Sequence, residues 1–94
     1  MISVVVKYFL NESGIQYFPA WYEEVYAEVS KQDGFIKINY EFDEKKVSPK
    51  ITLYFESIEK LTAWSKTESH DLLKSKIEAH YLKDEENGIE EVSA

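Results

Sequence analysis

The chain has no cysteine and no arginine, only three glycines and two prolines, and no long apolar run. Without cysteine there are no disulfides, no thiolate nucleophile and no zinc–thiolate site. Without arginine there is no bidentate clamp for phosphate or carboxylate. The net charge of −7 comes from 18 acidic residues against 11 lysines. That balance argues against nucleic acid as a partner, because phosphate contacts need a basic stripe, and against anionic membrane surfaces. The scattered glycines form no phosphate loop and no flavin or nicotinamide fingerprint. No stretch approaches a transmembrane span. The opening Ile2-Ser3-Val4-Val5-Val6 lacks a basic leader and is too short for a signal sequence, so a cytoplasmic protein is expected.

What is present is an aromatic-rich chain. Of 94 residues, 44% are hydrophobic and 15% aromatic, with seven Tyr, five Phe and two Trp. That is too apolar for a disordered segment. The length predicts a single domain over 1–94. A domain this small buries only about two-thirds of its unfolded surface, and pairing with a second copy would add to that.

The first strand is read over 2–10 (ISVVVKYFL), followed by a turn at Asn11-Glu12-Ser13-Gly14. Phe18, Trp21, Tyr22, Val25 and Val29 recur at helical spacing and predict a helix over about 16–31, with regular structure starting near Pro19. Gly34 ends it. Residues 35–43 alternate, with Ile36, Ile38, Tyr40 and Phe42 on one face. A charged turn over 44–49 leads to a second alternating run, 50–56, and the two make a hairpin. Ser57 suits the cap of a second helix and Ser69 that of a third. The tail from Lys83 is polar, and Gly88 to Val92 has the makings of one short last strand.

The order is β-α-β-β-α(α)-β, the ferredoxin-like order of an α+β fold: an antiparallel sheet with helices on one face. Ile2, Val4, Val6, Tyr8 and Leu10 join the helix-covered side. The other side carries Ser3, Val5, Lys7, Phe9, Phe35, Lys37, Asn39, Thr52 and Tyr54. Its aromatics would be wasteful in water, which makes it the candidate surface for a homodimer.

Three segments carry a family resemblance: Gln32-Asp33-Gly34-Phe35, Leu53-Tyr54-Phe55-Glu56-Ser57-Ile58-Glu59, and Trp64-Ser65-Lys66-Thr67-Glu68-Ser69-His70. In order and spacing they resemble the antibiotic biosynthesis monooxygenase (ABM) domains of the dimeric α+β barrel superfamily. The resemblance is strongest over 2–82. It implies two sheets forming one barrel in a homodimer, a pocket between sheet and helices, and cofactor-independent oxidation of a small aromatic or quinol-type compound. A non-catalytic small-ligand-binding or structural barrel protein is the alternative. The haem-degrading branch is disfavoured. It places a His ten residues after the Trp on the second helix, where this chain has Lys74 after Trp64. It also uses an Asn on the first strand, whereas the first Asn here, Asn11, lies in the turn.

Trp64 and His70 are the first candidates for chemistry, Trp64 as a wall for an aromatic ligand and His70 as the group that moves a proton. Both residues also suit plain structural roles, Trp64 as core and His70 at the helix break. Tyr22 and Tyr40 are candidates for the ligand pocket, or for core packing in which each phenol needs a partner. Of His80 and Tyr81, one should face inward. Glu23-Glu24, Glu85-Glu86 and Glu90-Glu91 read as solvated surface, since adjacent side chains do not converge. His70 and His80 lie too far apart in sequence for a shared metal.

Overall fold

The computed structural model describes residues 1–42 and 48–91. The expected charged turn, for 44–47, and the expected strand ends at Asp43 and Val92 lie outside the described residues. The elements are β1 (Ile2–Leu10), α1 (Glu12–Val29), β2 (Phe35–Glu41), β3 (Lys50–Phe55), α2 (Ile58–Ser65), α3 (Glu68–Glu78) and β4 (Tyr81–Glu91). The sheet is antiparallel, in the order β2-β3-β1-β4, the ferredoxin-like arrangement expected.

Alternation holds where one face is strongly apolar. Ile2, Val4, Tyr8 and Leu10 of β1 and Ile51, Leu53 and Phe55 of β3 are buried beneath the helices. Phe18, Phe55, Leu10, Ile77 and Val29 are the largest fully buried side chains, each contributing about 1.5–3 kcal/mol through burial.

Helix boundaries follow caps rather than proline. α1 begins at Glu12, because the Asn11 side chain accepts from the Gly14 amide at 2.8 Å. Pro19 therefore sits inside the helix, not at its start. It lies on the exposed side and leaves the Ile15 carbonyl without its usual helical donor. Gly14 lies under His80, and a Cβ there would come within 2.6 Å of the His80 Cβ. Ser57 caps α2 as expected. Thr67, not Ser69, caps α3: its hydroxyl accepts from the His70 amide. Gly34 turns the chain into β2 with φ +87, a value that favours glycine.

Two further expectations change. In β2, Phe35 pairs with Phe55 and Lys37 with Tyr54, so Ile36 is an extra, bulged residue. Phe35 thus points to the core side, packed edge-on against Phe55, while Ile36 is exposed. And β4 runs for 11 residues along β1, not as a short strand near Gly88. Backbone pairing to β1 supplies what the polar tail lacks in apolar pattern. Its register shifts twice, between Lys7 and Phe9 and between Phe9 and Leu10.

Candidate functional site

A cavity of about 320 Å³ lies between the sheet and the helices. Its apolar wall includes Trp21 and Val25 of α1, Ile38 and Leu53 of the sheet, and Leu61 and Trp64 of α2. Polar groups enter from α2, α3 and β4: Thr62, Ser65, His70, Lys74, Glu85 and Asn87. Tyr8 of β1 lines it as well.

Trp64 and His70 come together as the sequence suggests. Their rings meet edge-to-face with centroids 5.4 Å apart. Thr67 sets this geometry. Its hydroxyl donates to the Trp64 carbonyl at 2.8 Å and accepts from the His70 amide at 3.1 Å, so one side chain joins the end of α2 to the start of α3. His70 Nδ1 is buried and makes no hydrogen bond among the described residues. Asp71 Oδ1 is the near charge at 3.6 Å, beyond good hydrogen-bonding range.

Tyr22 and Tyr40 are not in the cavity wall, contrary to expectation. Their rings meet at a tilt of 43° with centroids 4.2 Å apart, on the β2 side of α1. Tyr22 donates to the Ile38 carbonyl at 3.4 Å, and Tyr40 is 46% exposed on the edge strand. Tilted contacts of Tyr40 with Phe18 and with Tyr22 fill the space they were expected to enclose. The inward ring on the cavity side of α1 is Trp21, whose indole N–H donates to the Leu73 carbonyl at 2.9 Å.

Of the His80–Tyr81 pair, Tyr81 turns inward and packs against Tyr8 at 6.3 Å. His80 instead shares a hydrogen bond with Ser13 Oγ at 2.9 Å beside the α1 cap. Burial pushes the Tyr8 phenol well above its ordinary range, and the charge of Glu85 and the neighbouring Tyr81 add to it. Burial, then Glu85, does the same to Tyr81. Glu85 is near enough to act on that phenol's charge. Yet the buried Tyr81 hydroxyl forms no hydrogen bond of good geometry among the described residues.

Glu85 itself corrects an expectation. Read as solvated surface, it faces the cavity with its side chain 18% exposed and forms an ion pair with Lys74 at 3.3 Å. Sequence reasoning passed over it because Lys83-Asp84-Glu85-Glu86-Asn87 is polar throughout and marks no face. Parity gives no signal either, since Lys83, at the same parity as Tyr81 and Glu85, faces away opposite Phe9 once the register shifts.

No protein-family model and no curated protein match the chain. Solved structures do. An antibiotic biosynthesis monooxygenase superposes with a TM-score of 0.87 at 17% identity, covering 100% of both chains. A conserved protein from Methanosarcina mazei Go1 gives 0.85 at 16% identity, over 95% of this chain and 89% of that one. SnoaB, a cofactor-independent oxygenase from Streptomyces nogalater, gives 0.81 at 10% identity, over 99% of this chain and 93% of that one. The chain has the ABM-domain fold. At these identities the likeness is one of fold, as the resemblance in the sequence implied. The likeness covers the fold and not the residues that line the cavity.

Proposed function

We propose that the cavity binds a small aromatic or quinol-type compound and oxidises it with molecular oxygen as a cofactor-independent monooxygenase. The observation that carries this reading is the Trp64–His70 pair: an aromatic wall with a buried, unengaged imidazole nitrogen beside it. The cavity volume is near the lower end of the about 300–1,000 Å³ usual for ligand sites, which suits a ligand of two fused rings. SnoaB, described as a cofactor-independent oxygenase, supports the reading through its shared fold.

A naphthol illustrates the chemistry. His70 takes the phenolic proton and leaves an electron-rich aryl oxide. The aryl oxide passes one electron to O2, and the resulting radical and superoxide combine in a C–O bond at a ring carbon bearing hydrogen. The peroxide takes a proton back from His70. Loss of that C–H proton with cleavage of the O–O bond then releases water and the quinone. Naphthol plus O2 becomes naphthoquinone plus H2O: the substrate loses four electrons and O2 accepts four. Trp21 and Trp64 hold the ring plane and keep bulk water from the anion.

Oxygen uptake with a naphthol tests this. Replacement His70→Ala, with the fold intact, should lower kcat by about 10²–10⁴. Uptake unchanged in that variant removes His70 as the base. Quenching of tryptophan fluorescence by the naphthol with no uptake would leave a binding protein without turnover.

In the same reading, two copies pair through the open sheet face. Within one copy, lysine ammonium groups lie over its aromatics: Lys83 over Phe9 at 4.2 Å and Lys37 over Tyr54 at 4.7 Å. Glu86 and Glu90, paired with Lys7 and Ser3, add carboxylates on that face for a partner's lysines. Light scattering at micromolar concentration should return twice the chain mass, and a monomer mass would contradict the pairing.

A further inference from the structure

One turn along α3 from His70, the cavity has a charged end built from α3 and β4. Lys74 Nζ stands 3.3 Å from Glu85 Oε1, and Asn87 follows two residues along the same strand. Several features set Glu85 apart from an ordinary surface carboxylate. Its side chain is 18% exposed, against 75% for Asp71 and 80% for Asp33 in their own ion pairs. The two register shifts in β4 aim it. Tyr81 faces the core opposite Leu10, Lys83 faces away opposite Phe9, and two residues, Asp84 and Glu85, then span the single step at Tyr8 before Asn87 faces inward opposite Val6. Bulges that re-aim a side chain gather beside functional sites. Lys74 engages one carboxylate oxygen, and the carboxylate retains acceptor capacity on the other.

We propose that Glu85 and Lys74 are the specificity-determining pair of this cavity: they select a neutral aromatic compound carrying a hydroxyl that donates to Glu85, distinct from the hydroxyl served by His70, and they reject aromatic acids. The proposal deepens the reading of the cavity as an aromatic-compound site and rests on it. Lys74 is the cation of the cavity wall, and Glu85 already neutralises it. A ligand carboxylate that took Lys74 would strand Glu85 as a half-buried charge without a partner, which is costly. A ligand hydroxyl disturbs nothing: it gives its hydrogen to Glu85 and leaves the ion pair in place. The phenols of Tyr8 and Tyr81 border this end and, held neutral by burial, bring no competing charge.

Both tryptophans of the chain line the cavity, so quenching of their fluorescence reports occupancy directly. The probes are a dihydroxynaphthalene, its monomethyl ether and the matching hydroxynaphthoic acid. The intact protein should bind the diol about tenfold more tightly than the ether, and the acid most weakly. In Glu85→Gln, Lys74 is freed, and the acid should gain about tenfold relative to the diol. An unchanged ranking in that variant overturns the proposal. If circular dichroism shows that Glu85→Gln does not fold, Lys74→Gln decides: the acid should lose further ground to the diol, and an unaltered ratio overturns the proposal. Oxygen uptake is read separately. A shifted ranking without uptake keeps the pair and sinks the monooxygenase reading, whereas uptake with an unshifted ranking does the reverse. Quenching by none of the probes sinks both.

Discussion

On one side of α1, Phe18, Tyr22, Tyr40 and Phe42 close on each other: Phe18 and Phe42 stack with planes 3° apart and centroids at 5.4 Å, and Tyr22 meets Tyr40 at 4.2 Å. On the other side, Tyr8, Trp21, Trp64 and His70 stand around an open volume of about 320 Å³. The two regions are equally aromatic. They differ in how the rings are joined. The β2-side rings form one continuous cluster through Phe18 and Tyr40. The cavity-side rings meet as two edge-to-face pairs, Tyr8 with Trp21 at 5.3 Å and Trp64 with His70 at 5.4 Å, and both pairs line the cavity. Aromatic content therefore does not locate a pocket; the arrangement of the rings does.

The largest expected effect that could break this comparison is on stability. Phe18 is fully buried in the closed cluster, so Phe18→Ala should cost about 3–5 kcal/mol in a urea denaturation series. A cost below about 1 kcal/mol would mean that the cluster is loosely packed after all.

A smaller effect probes the open side. Tyr81 carries a buried hydroxyl without a good partner, so Tyr81→Phe should be neutral or stabilising by about 1 kcal/mol at neutral pH. The folded protein also holds this phenol above its ordinary value of 10.0. In the unfolded chain it ionises near that value, so the stabilisation is present below about pH 10 and is lost as pH rises above it. Tyr81→Phe should therefore flatten the alkaline fall in stability, and two superimposable alkaline denaturation curves would count against it. The smallest effect concerns the edge. Tyr40→Ala should leave quenching by the naphthol probes within about twofold, a change of about 0.5 kcal/mol or less. A larger loss would return Tyr40 to the ligand site and blur the distinction between the two regions.

Much of the site's frame was legible in the sequence. Trp64 and His70 could be singled out because a tryptophan on an inner helix face and a histidine just past a helix break are close in chain as well as in space. Tyr22 was legible as an inward residue but not as a residue away from the cavity, because helical spacing gives the buried stripe and not what the stripe meets. Lys74 and Glu85 were out of reach. They lie on different elements, and the strand that carries Glu85 has no alternating apolar pattern to mark its faces. Phe35 and Ile36 were exchanged for a related reason: a bulge reverses the parity on which strand reading depends.

The order of elements along the chain, the helix stripes and the choice of an α+β ferredoxin-like architecture were determined by the sequence itself, since periodicity of two and of 3.6 residues is a local property that each segment carries alone. The start of α1 at Asn11 and of α3 at Thr67 required seeing which side chain reached which amide. The cavity, its ion pair and the inward turn of Glu85 were decided only by the tertiary structure. They depend on β4 pairing with β1 in a register shifted twice, and register between segments 71 to 89 residues apart is set by backbone bonding and packing that no local pattern encodes.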